Sequence, residues 1–164
     1  MSNPYRVYFD VCCLNRPFDD SSQDRIRLEA EAVLSIYRKC RLGEWTLLTS
    51  EVIESELRQT PDTQRVELIM AALAIAFEKT PLDSALKQRA GELVTLGLKP
   101  FDAAHIASAE AIAADVFLTT DDRLIRRATR YQASLNVLVS NPVTWLLSLT
   151  PYKGDNTDDD TPGT

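Results

Sequence analysis

The sequence has little histidine and cysteine, and it lacks a long apolar run. One histidine and three cysteines, with no C-x-x-C spacing, are too few for the usual Cys/His zinc sites. No apolar stretch approaches the roughly 18 residues of a membrane helix, and residues 1–6 show neither the basic nor the apolar part of a secretory signal. We therefore expect a cytoplasmic protein of a reducing compartment, with no structural zinc and no membrane association.

The chain also lacks a strong excess of charge. It has 24 acidic and 18 basic residues, a net charge of −6, and residues 151–164 account for −3 through four aspartates and one lysine. The remaining −3 is too small to describe residues 1–150 as either strongly basic or strongly acidic. This balance argues against broad, charge-driven nucleic-acid binding, but it permits a local acidic pocket flanked by bases.

The chain does have the size and pattern of one globular domain. It contains 164 residues, of which 45% are hydrophobic, enough for a core that needs no disulfide. Short apolar runs typical of buried strands lie at 5–10, 45–49, 115–119 and 135–139. A loop is predicted over 11–22, and helical spacing occupies most of the chain between the other strands, including a helix over 60–79. The alternation predicts a domain over 1–150 with a three-layer α/β/α sandwich around a central parallel sheet. The polar tail, 151–164, is predicted to be disordered.

Three aspartates are predicted to lie at one edge of this sheet, where α/β proteins bind their ligands. Asp10 ends the first predicted strand, and Asp121 follows the strand at 115–119. Asp102 lies in the first turn of the helix before that strand. A crossover helix runs antiparallel to its strands, so its first turn lies at the same edge as the strand ends.

A glutamate from the helix that begins at Ser50 completes the acidic set. At about 100° per residue, with Ile53 at zero, Glu56 lies near −60°, within the apolar stripe, and Glu54 lies near +100°, at its flank. A carboxylate that points inward must be paired, protonated or bound to metal. We therefore favour Glu56 as the fourth acid, with Glu54 as the second choice.

Four converging carboxylates require positive charge between them, because like charges at short range repel. Oxygen ligands without sulfur or several histidines are those that Mg²⁺ and Mn²⁺ prefer. Such a centre, with one or two ions, activates water for in-line attack on a phosphodiester. The residues themselves thus predict a metal-dependent phosphodiesterase site.

Basic residues and the single histidine lie close to these acids in sequence. Four arginines follow Asp121 on a predicted helix, namely Arg123, Arg126, Arg127 and Arg130. They either bind phosphates that flank the scissile one or form a solvated helix face. Arg16, in the loop after Asp10, is a further candidate for phosphate binding. His105 shares a helix face with Asp102, and it either orients Asp102, contacts substrate or packs in the core.

Four segments, in this order, resemble the PIN domain, the fold of many metal-dependent ribonucleases, including VapC-type toxins of toxin-antitoxin pairs. They are VYFD ending at Asp10, TSEVIESEL with Glu56, KPFDAAHIASA with Asp102, and FLTTDDRLI with Asp121. The resemblance covers residues 5–149. Two positions depart from the family pattern: Cys12 stands where many members have asparagine, and Arg123 stands where some have a fifth acid.

The resemblance implies a catalytic metal site formed by Asp10, Glu56, Asp102 and Asp121, with the Thr119 hydroxyl supporting the last acid. It further implies an RNA substrate, an antitoxin protein as partner, and a homodimer. The departures at Cys12 and Arg123 bear on the second metal and on the rate of catalysis.

Two functions from different classes are compatible with the sequence, and a third lacks its signature. The first is a Mg²⁺- or Mn²⁺-dependent endoribonuclease, which we favour. The second is a catalytically weak PIN-like domain that binds RNA or a protein partner and keeps its acids for structure. The third, a phosphatase or phosphoacceptor domain, requires a second acid two residues after the first, where this chain has Cys12.

Overall fold

A five-stranded parallel sheet forms the centre of the computed structural model, which describes residues 4–149. Its strands are β1 (Arg6–Phe9), β2 (Thr46–Ser50), β3 (Glu78–Thr80), β4 (Val116–Leu118) and β5 (Leu138–Ser140). Their order across the sheet is β3-β2-β1-β4-β5, and every neighbouring pair is parallel. The predicted α/β fold with a central parallel sheet is confirmed. The tail predicted to be disordered lies outside the described residues.

Helices connect these strands. Within residues 4–149 they are α1 (Val11–Asn15), α2 (Asp24–Arg41), α3 (Glu51–Leu57), α4 (Thr63–Leu73), α5 (Ser84–Thr95), α6 (Pro100–Ala111), α7 (Asp122–Arg130) and α8 (Pro142–Leu149). Helix α2 packs against α8, and α5 packs against α6. No helix in this part of the chain is both long and apolar enough to cross a bilayer.

The core is centred on the middle strand β1 and its neighbour β4, both of which the sequence marks by short apolar runs. Their residues 7–9 and 116–118 are at most 1% exposed. A strand covered by helices on both faces must be apolar at every position. The register of β1 on β4 pairs Phe9 with Leu118 and so aligns the residues that follow them.

The strand β3 was not predicted, and the helix predicted over 60–79 is too long. Asp62 caps α4, which ends at Leu73. Glu78 and Lys79 of β3 are exposed and only Thr80 is buried. Three residues with two charges show no strand period, and charged side chains are typical of an edge strand.

The loop predicted over 11–22 is also partly wrong, because it contains α1 and a 3₁₀ turn at Arg16–Phe18. Five residues are too few to show helical periodicity. The helix begins here because the Asp10 side chain accepts a hydrogen bond from the Val11 N–H, which satisfies a donor at the helix start. The last strand is shifted as well, to Leu138–Ser140 from the predicted 135–139.

Candidate metal centre

Asp10 lies at the carboxyl end of the central strand β1 and is 7% exposed. Its Oδ1 accepts a hydrogen bond from the Val11 N–H at 2.8 Å, and its Oδ2 accepts one from the Thr119 hydroxyl at 2.8 Å. Burial raises the pKa of Asp10, which the nearby His105 and the Thr119 hydroxyl partly oppose. A buried carboxylate of this kind becomes less costly to ionise when a cation lies beside it.

Thr119 was expected to support Asp121, and the structure shows that its hydroxyl connects two acids. Besides donating to Asp10, the Thr119 Oγ1 accepts the N–H of Asp121 at 3.2 Å. Thr119 therefore joins the end of β4 to the end of β1. Its contact with the Asp10 carboxylate was not predicted, because it depends on the pairing of two strands that are distant in sequence.

Glu56 and the buried His105 meet Asp10 at the same edge. The His105 Nε2 lies 2.5 Å from Glu56 Oε2 and 3.9 Å from Asp10 Oδ1. One ligand atom from each of these three residues lies within 4.8 Å of the other two. His105 therefore pairs with Glu56, a partner that none of the three interpretations of the sequence named.

Asp102, in the first turn of α6, is electrostatically coupled to the other acids. Burial first, and then the negative charges of Asp10 and Asp121, raise the pKa of Asp102 to about 6. Repulsion of this kind requires that the carboxylates lie near one another. Asp121 itself is exposed and caps α7, with its Oδ1 accepting the N–H groups of Arg123 and Leu124 at 2.9 and 3.2 Å.

Glu54, the second choice on α3, lies in a different environment. Its Oε1 is 3.0 Å from Lys79 Nζ, and its Oε2 is 3.8 Å from an Arg58 nitrogen. These ion pairs neutralise its charge beside β3. Glu56 is thus the α3 glutamate that the fold brings to Asp10.

The arginines of α7 are all exposed. They line an open cavity of about 370 Å³ together with Leu96, Gly97 and Tyr131. The four arginines are Arg123, Arg126, Arg127 and Arg130. Arg127 donates to the Gly97 carbonyl. The cavity is basic and begins next to Asp121, at the start of the helix.

Arg16 belongs to a buried network that was not predicted. Its centre is Glu29 of α2, 2% exposed, which lies 3.0 Å from Arg16 Nε and accepts from Asn141 Nδ2 at 2.6 Å. Arg16 also pairs with Asp19. Arg25, 3.5 Å from Glu29, forms two 2.8 Å bonds to Asp122, the first residue of α7.

One sequence signal indicates Glu29. It continues the apolar stripe of α2, at helical spacing from Ala32, Val33 and Ile36. A charge at such a position requires partners, and here they come from other segments.

Cys12 touches the acidic site, whereas Cys13 is a fully buried core residue. The Cys12 Sγ lies 3.4 Å from Asp10 Oδ2 and 3.3 Å from Thr119 Oγ1. It also accepts the Thr120 N–H at 3.3 Å. The residue that departs from the family pattern thus remains bonded to the first acid.

The carboxylate oxygens at this edge suit a divalent cation. The oxygens of Asp10 and Glu56 converge, and the raised pKa of Asp102 records negative charge that a cation would compensate. Carboxylate oxygens are the ligands that hard cations prefer.

The fold and this edge of acids define a parallel α/β domain with a candidate metal centre, and comparison with known proteins gives its family. The family model described as PIN domain matches residues 7–130. The chain therefore belongs to the PIN domain family. All four predicted acids lie within the matched residues.

The solved structures that share the fold include the crystal structure of VapBC2 from Rickettsia felis bound to a DNA fragment from their promoter. The likeness has a TM-score of 0.50 at 14% identity, and it covers 83% of this chain and 98% of that one. At this identity it supports the fold alone. A search of curated proteins found no match.

Proposed function

We propose that this protein is a metal-dependent endoribonuclease that hydrolyses RNA phosphodiester bonds. The observation that carries the proposal is the proximity of acids from distant segments: Asp10 lies near Glu56, and burial together with the charges of Asp10 and Asp121 raises the pKa of Asp102 to about 6. Carboxylates that raise one another's pKa by electrostatic repulsion are typical of functional sites. PIN domains are generally nucleases, which favours a phosphodiester substrate.

The ligands that would hold Mg²⁺ or Mn²⁺ are Asp10, Glu56, Asp102 and Asp121. When bound, the cation activates a water molecule and stabilises negative charge on the phosphate. The Thr119 hydroxyl fixes the orientation of Asp10 through its 2.8 Å bond to Oδ2. The arginines of α7 would hold the phosphates on either side of the cleaved one.

The test is an RNA cleavage assay on single-stranded and structured RNA with Mg²⁺, Mn²⁺ or EDTA. We expect cleavage that requires metal and that falls by about 100-fold or more in Asp102→Asn, because the variant removes a charged ligand. Asp24→Asn is the matched control, since Asp24 is an exposed acid of α2 with its side chain 82% exposed. Cleavage that survives both EDTA and Asp102→Asn would contradict the mechanism.

Two residues favour a second function, a catalytically weak domain that binds RNA or a protein partner. Cys12 contacts Asp10, and Arg123 lies beside Asp121, where a further acid would strengthen metal binding. RNA that is bound but not cleaved in any of the metals, by a correctly folded protein, would support this second function.

We also propose that the protein is a toxin with an antitoxin protein as partner, on the strength of its family and of its likeness to VapBC2. A homodimer and a cytoplasmic location belong to the same proposal. The free thiols of Cys12, Cys13 and Cys40 are consistent with a reducing compartment.

A further inference from the structure

A row of buried hydrogen bonds leads to Glu56. The Ser50 Oγ accepts the Ile53 N–H at 3.1 Å and lies 2.6 Å from the Tyr8 hydroxyl. The Tyr8 hydroxyl lies 2.9 Å from His105 Nδ1, and His105 Nε2 lies 2.5 Å from Glu56 Oε2. The row thus joins the start of α3 to a residue near its end, through β1 and α6.

The His105 Nε2 carries a proton toward Glu56 whether the imidazole is neutral or charged, and for the neutral ring the other protons of the row have one consistent arrangement. An ionised carboxylate only accepts, so the proton lies on His105 Nε2 and is donated to Glu56. The His105 Nδ1 then accepts from the Tyr8 hydroxyl, whose oxygen accepts from Ser50. Every polar group in the row is satisfied, as buried polar groups require.

The tyrosine at the middle of the row is rigidly held. Tyr8 is fully buried and stacks on Phe117 with ring centroids 5.4 Å apart. Its hydroxyl lies within hydrogen-bond distance of both Ser50 Oγ, at 2.6 Å, and His105 Nδ1, at 2.9 Å. The His105 ring is therefore held by a tyrosine whose own ring is fixed by packing.

We propose that His105 is a positioning residue that holds Glu56 Oε2, so that Oε1 is the oxygen presented to the cation, while Tyr8 and Ser50 hold the ring. The inference rests on the proposed function, in which Glu56 is a metal ligand. A ring nitrogen that carries a proton has no lone pair for a metal, so His105 acts through Glu56. Hydrogen bonds that orient a metal's ligands commonly contribute 10- to 100-fold, roughly, to affinity.

Mn²⁺ binding by isothermal titration calorimetry on the full chain tests this role. We expect His105→Leu to weaken binding by about 10- to 100-fold. We expect His105→Gln to recover most of the affinity, because its amide N–H reaches the same side of Glu56. Tyr8→Phe, which removes only the hydroxyl that fixes the ring, should weaken binding less than His105→Leu.

A spectroscopic measurement on the wild-type protein separates positioning from ligation. The chain has one histidine, so pulsed electron paramagnetic resonance of the tag-free Mn²⁺ complex reports on His105 alone. We expect no coupling from a directly bound imidazole nitrogen, and strong nitrogen coupling would overturn the inference.

The failures of the two proposals are distinguishable. Wild-type binding that His105→Leu leaves unchanged overturns the positioning role and spares the metal site. Absence of Mn²⁺ binding in the wild type overturns the proposed function and the positioning role together. If His105→Leu does not fold, the His105→Gln titration decides. A loss of Mn²⁺ affinity in His105→Gln as large as that in an Asp10→Asn variant overturns the positioning role of His105.

Discussion

At the residue scale, the site is a set of carboxylates that are costly to ionise. Burial raises the pKa of Asp10 and of Asp102, and Asp10 and Asp121 raise that of Asp102 further. Hydrogen bonds from Val11 and Thr119 partly offset the cost at Asp10. The residues that would bind a cation thus destabilise the fold when none is bound.

Asp102→Asn is predicted to stabilise the metal-free protein at neutral pH. The folded pKa of Asp102 is about 6, against roughly 3.9 in an unfolded chain. The folded state therefore binds the proton more tightly, and the contribution of Asp102 to stability falls as pH rises from about 4 to about 6. We expect a gain on the order of 1 kcal/mol at pH 7.5, after allowance for solvent screening, and almost none near pH 4.

Urea unfolding in EDTA, at the two pH values, measures this difference. Asp24→Asn should change stability little at either pH, because its carboxylate is exposed. A metal-free Asp102→Asn protein that is less stable than the wild type at pH 7.5 would contradict the electrostatic account.

At the scale of the element, α7 places an acid and several bases in a fixed relation. Asp121 caps its first turn, and Arg123, Arg126 and Arg130 follow at spacings of three, four and seven residues, which lie on one face. The bonds from Arg25 to Asp122 hold the start of α7 to α2. These three arginines therefore form a basic row along α7 that begins next to Asp121.

Replacing three of these arginines with glutamine is predicted to weaken RNA binding. The variant Arg123→Gln/Arg126→Gln/Arg130→Gln retains Arg127, whose contact with Gly97 is structural. On single-stranded RNA, each lost phosphate contact reduces the slope of log affinity against log salt by roughly 0.7, so three contacts reduce it by about 2. Binding is measured in an Asp102→Asn background, which prevents cleavage.

The control is Arg38→Gln/Arg41→Gln, two exposed arginines in the last turn of α2, at the amino edge of the sheet, and the losses are compared per arginine removed. Their removal lowers the net charge without touching the basic row along α7. An equal loss in both variants, or none in either, would identify the α7 arginines as a solvated face.

At the scale of the whole molecule, the strand order assembles the site. With β1 next to β4 in the middle of the sheet, Asp10 and Asp121 follow neighbouring strands. Helices α3 and α6 pack against each other and bring Glu56 and Asp102 to the same edge. A cation bound to acids from four segments would bind only the folded state.

Mn²⁺ is therefore predicted to raise the melting temperature. A ligand at 100 times its Kd stabilises a fold by about 2.7 kcal/mol, which corresponds to roughly 5–10 °C for a domain of this size. Differential scanning fluorimetry measures the shift, which should vanish in Asp10→Asn and persist in Asp24→Asn. An equal shift in Asp10→Asn would place the stabilising ion elsewhere.

Much of the fold was predictable, because helices of more than two turns leave a helical period in the sequence and buried strands leave short apolar runs. The central strands β1 and β4 were found from their short apolar runs. The edge strand β3 and the short helix α1 were missed, since three or five residues show no period. Packing and capping decide such elements: the N–H of Phe77, just before β3, donates to the Leu47 carbonyl of β2, and the Asp10 side chain caps the start of α1.

The sequence by itself determined which side chains lie at the carboxyl edge, because strand ends and helix starts are local features. Only the tertiary structure decided how they pair: Thr119 with Asp10, His105 with Glu56, and Glu29 with Arg16. These partners are 13 to 109 residues apart. A hydrogen bond depends on ångström-scale distances between segments, and those distances are set when the sheet and its helices pack together.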